Sequence, residues 1–110
     1  MTNPTFIRVS TLFALLTVGS AAGDRQLVWS DEFDYRGLPD PQRWGYETGH
    51  VRNNEAQYYT PGRSENARVE GGELIIEARR DNWEGHEYTS ASLTTRGKAA
   101  WTYGRIEARI

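Results

Sequence analysis

The end of the chain carries the clearest alternation of apolar and polar side chains. Ile106, Ala108 and Ile110 alternate with charged residues, and a period of two predicts a strand with one buried face. Residues 88–95 are rich in Thr, Tyr and Leu, which predicts a neighbouring antiparallel strand after an intervening glycine turn. The sequence shows no partner for the apolar face of the last strand. We therefore expect the N-terminal part of a larger β-protein.

Further strands are predicted by shorter apolar runs that turn residues separate. Residues 27–34 predict a first strand that ends in an acidic turn, and residues 44–47 predict a short strand. Residues 67–69 and 73–79 flank the pair Gly71-Gly72. They predict a hairpin, because Gly tolerates positive φ at both central positions of the turn.

The second strand of that hairpin has an amphipathic pattern. Leu74, Ile76 and Ala78 alternate with the charged residues of this strand except at Ile75. We expect the three to be buried, and Ile75 implies partial cover of the second face. Polar, proline and glycine residues predict surface loops over 61–65 and 80–87. The chain after its first 22 residues is therefore predicted to be mostly β.

The first 22 residues have the order of segments that is typical of a secretory signal peptide. Arg8 precedes an apolar run over 12–18, and small residues occupy 19–22. The alternative is a membrane anchor, but the apolar run is well short of the ~20 residues that cross a bilayer. We predict cleavage after Ala22, a secreted or periplasmic location, and no membrane association of the mature protein.

Composition and charge narrow the class of partner. The chain has 37% hydrophobic residues and 11 Gly among 110 residues, which is typical of a globular, turn-rich β-protein. Its net charge of −2 provides no basic field for nucleic acid or an anionic membrane. No Cys is present, so a disulfide cannot stabilise a small core. A neutral partner fits this charge balance better than a nucleic acid or an anionic membrane does.

Three groups of residues are candidates for chemistry or binding. Asp31, Glu32 and Asp34 suggest a catalytic or metal cluster, although a turn with Asp side chains on backbone N–H groups is the favoured interpretation. Residues 53–60 combine three amides, a carboxylate and two Tyr rings, which suits a neutral sugar but is also common in turns and cores. Trp83, in a polar segment, either folds back onto the body or offers a stacking platform.

Several kinds of catalytic machinery are missing from the sequence. There is no thiol, and His50 and His86 lie in separate predicted loops without metal-ligand spacing. Glu73 and Glu77 share a strand face but are four residues apart, too far for a retaining glycosidase pair. The sequence contains no convincing catalytic dyad.

The order of motifs carries a resemblance. In sequence order they are LVWSDEF (27–33), WGY (44–46), NNEAQYYT (53–60), ENARVEGGELIIEARR (65–80), YTSASLTTRGK (88–98) and WTYGRIEARI (101–110). Together, residues 23–110 resemble the N-terminal part of glycoside hydrolase family 16, particularly its laminarinase-like members, the endo-β-1,3-glucanases. The resemblance implies an all-β, jelly-roll (concanavalin-like) antiparallel β-sandwich, present here as an incomplete N-terminal portion. It also implies retaining hydrolysis of internal β-1,3 or mixed-linkage glucan bonds through two Glu.

The resemblance also implies site residues. The catalytic E-x-D-x-x-E stretch of the family follows G-R-I-E-A-R, so no catalytic residue is expected in this chain and the dyad is expected beyond Ile110. The substrate contacts implied are Asn53 or Asn54 and Ser92, which stands where many members have Arg; Trp83 is the candidate stacking residue. No cofactor is required, although backbone carbonyls of Glu32 and Gly72 match a structural calcium site of family members.

Two alternatives to a glucanase remain. The main one is a non-catalytic carbohydrate-binding β-sandwich, in which aromatic side chains stack on sugar rings, and the other is a structural envelope protein with no ligand. For the glucanase and the binding module, the expected partner is a β-glucan polysaccharide, and no nucleic acid. An exposed edge at the last predicted strand is expected to promote self-association.

Overall fold

The computed structural model describes residues 24–110, which form seven short strands and, within that range, no helix. The predicted signal peptide lies outside the described residues. No helix in the described part has the length and apolar character needed to cross a membrane. The strands are β1 (Gly45–Glu47), β2 (Gln57–Tyr59), β3 (Ala67–Glu70), β4 (Glu73–Ile76), β5 (Arg79–Trp83), β6 (His86–Ser90) and β7 (Ser92–Thr94).

The strands are arranged in three small sheets. β1 pairs with β7, β3 pairs with β4, and the three-stranded sheet has the order β2-β6-β5. Three of the four pairings are antiparallel as expected, but β2 and β6 are parallel. Parallel neighbours need a long crossover, which the chain between β2 and β6 provides by forming β3, β4 and β5.

The hairpin of β3 and β4 confirms the prediction from the glycine pair. Gly71 and Gly72 have φ values of +61° and +81° and connect the pair Glu70 and Glu73. Both central residues of the turn therefore adopt the left-handed region, where a side chain would be strained. The short strand at Gly45–Glu47 and the loop over 61–65 also agree with the sequence prediction.

The surface loop predicted over 80–87 is wrong. These residues form most of the hairpin of β5 and β6, in which Trp83 pairs with His86 across the two-residue turn Glu84-Gly85. Glu84 has φ of +46° and Gly85 has φ of +82°, the combination of a tight hairpin turn. The polar composition concealed a two-stranded ribbon whose side chains are mostly solvated.

The first strand predicted over 27–34 does not form. Phe33 has φ of +53°, which interrupts an extended backbone. The carboxylate of Asp31 accepts hydrogen bonds from the N–H of Phe33 (3.0 Å), the hydroxyl of Tyr35 (2.9 Å) and Nε1 of Trp44 (2.8 Å). The favoured interpretation of this acidic segment as a turn is confirmed, since Asp31 is used by local donors.

The two strands predicted at the end of the chain are also corrected. Residues 88–95 divide at the buried Ala91 into β6 and β7, which pair in different sheets. Residues 106–110 form no strand, and Ile106 is 89% exposed. Alternation alone does not produce a strand, because the ladder hydrogen bonds require a neighbour, and no strand among residues 24–110 pairs with this segment.

The core of the described residues is small and unusually polar. Its buried apolar side chains are Ala67, Val69 and Ala91, while Thr60 and Asn66 are fully buried polar residues. The Cα radius of gyration is 22.5 Å, against about 12–13 Å for a compact chain of this length. The described residues thus do not enclose a core of ordinary size.

The buried face predicted for the second hairpin strand is wrong in part. Leu74 is partly buried, but Ile76 is 50% exposed and Ala78 is exposed. β4 ends at Ile76 and a new strand begins at Arg79, so the alternation does not continue across one sheet. This change of sheet removes the common face that the sequence pattern predicted.

Candidate functional site

The first candidate site residue lies where β1 and β7 pair. Glu47 and Ser92 are opposite each other in this antiparallel pair, and Oγ of Ser92 donates a hydrogen bond of 2.6 Å to Oε2 of Glu47. Arg52 donates to the same carboxylate oxygen and forms an ion pair with it. The hydrogen bond from Ser92, with Arg52 beside it, holds the pKa of Glu47 below its usual range. Ser92 is therefore already bound to a protein carboxylate.

A second group of polar side chains adjoins this pair. The Arg52 guanidinium lies 5.7 Å from the ring centre of Tyr59. The hydroxyl of Tyr59 and Nε2 of Gln57 each donate to Oε2 of Glu55 at 2.8 Å, and Gln57 also donates to the Tyr59 hydroxyl at 3.0 Å. Together these side chains form what we name the Glu47 cluster: Glu47, Arg52, Glu55, Gln57, Tyr59 and Ser92.

The two candidate asparagines lie in the loop that connects the halves of this cluster. Asn53 and Asn54 are exposed and have φ values of +57° and +50°. Asn tolerates the left-handed region better than most residues, which explains the amide pair at this turn. Their position between Arg52 and Glu55 places both amides at the border of the Glu47 cluster.

Trp83 folds back onto the body of the protein. It is partly buried, the Arg63 guanidinium lies 5.3 Å from its ring centre, and the Tyr58 ring centre is 6.1 Å away. Arg63 in turn donates to Oδ2 of Asp81 at 2.8 Å and to Oδ1 of Asn66 at 2.9 Å. The packing interpretation of Trp83 thus has direct contacts, while its role in sugar stacking stays a prediction.

Arg63 connects Trp83 to a buried polar network. Thr60 donates to Oδ1 of Asn66 at 2.7 Å, and Nδ2 of Asn66 donates to Oγ1 of Thr89 at 2.9 Å. Thr89 donates to Oδ1 of Asp81 at 3.0 Å. Partial burial raises the pKa of Asp81, but hydrogen bonds from Arg63 and Thr89 outweigh it and the net pKa is lowered. The sequence motifs did not predict that these side chains form one hydrogen-bonded network.

The two histidines, which the sequence placed in unrelated loops, meet in space. Their ring centres are 5.6 Å apart, and Tyr58 contacts both rings. No sequence signal could have found this pair, because one histidine follows β1 and the other begins β6.

A shallow groove of about 370 Å³ lies on another part of the three-stranded sheet. Gln57, Arg80 and Tyr88 are among its lining residues, and the Arg80 guanidinium lies 5.8 Å from the Tyr88 ring centre. Of the Glu47 cluster, this groove includes Gln57 alone among its lining residues. None of the predicted sugar contacts Asn53, Asn54, Trp83 and Ser92 lines this groove.

The calcium prediction rests on two exposed positions. Glu32 lies between Asp31 and Phe33, in the turn that the Asp31 carboxylate caps, and Gly72 lies in the β3–β4 turn. Two backbone carbonyls supply far fewer than the six to eight oxygen ligands that Ca²⁺ takes, so these residues alone do not fit the ion. In residues 24–110 no group of three or more His, Cys, Asp or Glu side chains is placed to hold a metal.

The ion-paired carboxylates of the described residues are poor general acids. Hydrogen bonds and ion pairs lower the pKa of Glu47, of Glu77 and of Asp81, whereas a glycosidase acid needs a raised pKa. Glu77, for example, pairs with Arg68 and Arg79 at 2.9 Å each. Their chemistry is that of structural or ligand-orienting groups.

Known proteins resemble this chain in sequence and in fold. A β-glucanase of Rhodothermus marinus is 56% identical over 115 aligned positions, which cover 99% of this chain and 40% of that protein. The crystal structure of the R. marinus laminarinase matches 72% of this chain and 32% of its own, with a TM-score of 0.69 and 68% identity. The structure of SCLam, a non-specific endo-β-1,3(4)-glucanase from family GH16, covers 72% and 34% with a TM-score of 0.66 and 46% identity. No profile of a known protein family matches the chain.

These similarities define the class and then the family. The chain is part of a jelly-roll β-sandwich of the glycoside hydrolase class, which confirms the fold expected from the motifs. It belongs to the laminarinase-like members of glycoside hydrolase family 16. The chain spans about 40% of the R. marinus β-glucanase and about a third of the solved structures.

Proposed function

We propose that this chain is the glucan-binding part of an endo-β-glucanase that hydrolyses internal β-1,3 or mixed-linkage bonds with retention of configuration. The proposal is supported by its similarity to proteins named β-glucanase and laminarinase, at 56% and 68% identity. The Glu47 cluster is the observation that carries it. Carboxylate, guanidinium, amide and hydroxyl groups converge there beside a Tyr ring, a combination that suits the hydroxyls and apolar faces of a neutral sugar.

The Glu47 cluster is arranged so that its polar atoms orient one another. Oε2 of Glu47 accepts from Ser92 and Arg52, and Oε2 of Glu55 accepts from Tyr59 and Gln57. Side chains that are already held in place lose less conformational freedom when a ligand binds. We propose that the remaining lone pairs and N–H groups contact sugar hydroxyls.

The bond-breaking residues are proposed to lie beyond Ile110. The ion-paired carboxylates described above are held in their charged form, which leaves no proton for a leaving group. We expect the 110-residue chain to release no reducing sugar from laminarin. Reducing-sugar release above that of heat-treated protein would contradict this.

Glucan binding is tested by removing the loop amides without disturbing the backbone. Asn53→Gly and Asn54→Gly keep a residue that tolerates positive φ and delete the amide. We expect each to weaken laminarin binding by about twofold to tenfold, the range of one hydrogen bond of roughly 0.5–1.5 kcal/mol. The matched control is Asn82→Gly, an exposed Asn with φ of +47° in β5. Equal binding by all three variants in calorimetry would contradict the site.

Ser92 is tested by a second matched pair. Ser92→Ala removes the donor to Glu47, and we expect a loss of laminarin affinity of similar size, while the exposed Ser64→Ala should bind normally. Trp83→Ala would weaken binding if Trp83 stacks on a sugar. Because Trp83 also packs against Arg63, its result is compared with the unfolding midpoint of the same variant.

A carbohydrate-binding module without hydrolysis is the second candidate. Trp101 and Tyr103 are exposed, Tyr103 to 93%, and exposed aromatic rings are typical stacking platforms. The two candidates differ in the residues expected beyond Ile110. An E-x-D-x-x-E run in the longer reading frame, with glucanase activity of its product, supports the enzyme; glucan binding without hydrolysis supports the module.

We also propose that the protein is exported, with residues 1–22 removed, and that β-glucan outside the cytoplasm is its partner. Expression in a bacterial host followed by N-terminal sequencing of the extracytoplasmic product tests this, and an intact Met1 in that product would contradict it. Exposed apolar side chains at Ile106 and Ile110 support self-association of the chain. Sedimentation at increasing concentration should then show oligomers.

A further inference from the structure

Both histidines of this chain lie in one aromatic cluster. The sequence contains two His and no Cys, and the centres of the two imidazole rings are 5.6 Å apart, with an angle of 66° between their planes. His50 is exposed and His86 is partly buried. Among residues 24–110, neither imidazole has a hydrogen-bond partner. Both rings are thus free to bind a ligand.

Several contacts hold the two rings together. Gly49 and Tyr59 exchange backbone hydrogen bonds of 3.0 Å in both directions, which places His50 beside β2. His86 pairs with Trp83 at the start of β6. The Tyr58 ring stacks on His86 with centres 3.8 Å apart and contacts His50 edge-on at 5.5 Å. These contacts restrict the rings before any ligand arrives.

We propose that His50 and His86 form a two-imidazole binding site for a divalent transition-metal ion of the nickel, copper and zinc group. With metal–nitrogen bonds of about 2.0–2.1 Å, an ion between two imidazoles holds the ring centres roughly 5–6 Å apart. Imidazole is the preferred ligand of these ions, whereas Ca²⁺ and Mg²⁺ select oxygen. Water completes the coordination, since the site opens to solvent at His50.

The site would link three parts of the fold. His50 belongs to the loop after β1, Tyr58 to β2 and His86 to the β5–β6 hairpin. An ion bound to both imidazoles stabilises the folded chain by mass action, because the unfolded chain does not hold the rings close together. This site shares no residue with the Glu47 cluster, and its proposal does not depend on glucan binding.

Calorimetric titration of the untagged 110-residue chain with Zn²⁺ tests the proposal. We expect one Zn²⁺ per chain, no binding of Ca²⁺, and a higher unfolding temperature with Zn²⁺. His50→Ala and His86→Ala should each reduce the Zn²⁺ affinity by at least about tenfold, because the second imidazole binds intramolecularly. The control Asp34→Ala, which removes an exposed carboxylate, should bind as the parent does.

Nuclear magnetic resonance keeps the test decisive if one variant unfolds. In the parent chain, Zn²⁺ should shift the ring signals of both histidines along the same titration curve. Separate curves, unchanged affinity in the His50→Ala variant, or equal Zn²⁺ affinity in concentrated urea would each overturn the proposal. Since His50 is exposed, its replacement should leave the far-ultraviolet circular dichroism unchanged.

Discussion

Asn66 and Thr89 are far apart in the sequence, are both fully buried, and are joined by a hydrogen bond of 2.9 Å from Nδ2 of Asn66 to Oγ1 of Thr89. The same hydroxyl donates to Asp81 and accepts from Arg63 at 3.2 Å. A single buried threonine thus connects the loop before β3 with β5 and β6. Because few apolar side chains are buried among residues 24–110, this polar network is a main source of specific packing there.

Replacement of this threonine should lower stability through unsatisfied polar groups. Thr89→Val keeps the shape of the side chain but leaves the Asn66 amide, the Arg63 guanidinium and the Asp81 carboxylate without one partner each. We expect the free energy of unfolding to fall by about 1–3 kcal/mol. Thr48→Val, at an exposed position, should change it by no more than about 0.5 kcal/mol. Urea unfolding monitored by tryptophan fluorescence measures both, and equal midpoints would contradict the network.

Arg63 should be sensitive to a conservative change. Its guanidinium donates to Asn66, Asp81 and Thr89 and lies over Trp83. Lys has one nitrogen and no planar fork, so Arg63→Lys should cost about 1–3 kcal/mol of unfolding free energy.

The control for Arg63 is another arginine beside an aromatic ring. Arg80 is exposed, pairs with Glu87 at 2.7 Å and lies near Tyr88. Arg80→Lys should cost less than about 1 kcal/mol, as is usual for surface ion pairs. Thermal unfolding by circular dichroism compares the two variants. A larger loss of stability for Arg80→Lys than for Arg63→Lys would contradict the proposed role of Arg63 in the buried network.

Asp31 should matter for stability and Asp34 should not. Asp31 accepts hydrogen bonds from Phe33, Tyr35 and Trp44, whereas Asp34 has no side-chain hydrogen bond among the described residues. We expect Asp31→Ala to lower the free energy of unfolding by about 1–3 kcal/mol and to change the near-ultraviolet signal of Trp44. Asp34→Ala is the matched control, and similar behaviour of both variants would refute the structural role of the Asp31 turn.

Acid should destabilise the protein through its ion-paired carboxylates. The pKa values of Glu47, Glu77 and Asp81 are lowered from 4.5, 4.5 and 3.8. The unfolded state therefore binds protons more readily, so the stability from these groups is complete above about pH 5 and is lost as pH falls through the lowered values. Glu77→Gln should flatten this dependence. Urea midpoints measured from about pH 6 to pH 3 that do not decrease would contradict it.

Local turn chemistry was the most predictable part of this fold. Gly71 and Gly72 indicated their hairpin because a two-residue hairpin turn needs positive φ at both central residues, and Gly adopts it without strain. The Glu84-Gly85 turn obeys the same geometry, but the surrounding polar residues indicated a loop. The error arose because a solvated ribbon has no apolar alternation to reveal it.

The candidate site was predictable only in part. The motif order indicated the family, whereas sugar contact by Asn53, Asn54 and Ser92 stays a prediction; these residues lie in or beside the proposed site, the Glu47 cluster. Glu47 and Arg52 were missed, because only the pairing of β1 with β7 places Glu47 opposite Ser92. A charged residue in a short strand gives no sequence signal for such a contact.

From the order of residues alone came the β class and the Gly71-Gly72 turn, which depend on neighbours along the chain, and the family, which depends on the order of the motifs. The folded arrangement was needed to join Asn66 to Thr89 and His50 to His86, and to show that Ile106 and Ile110 form no strand among the described residues. The physical reason is the same in each case. Backbone preferences act over a few residues, whereas hydrogen bonds and ring contacts between distant segments exist only after the strands have paired.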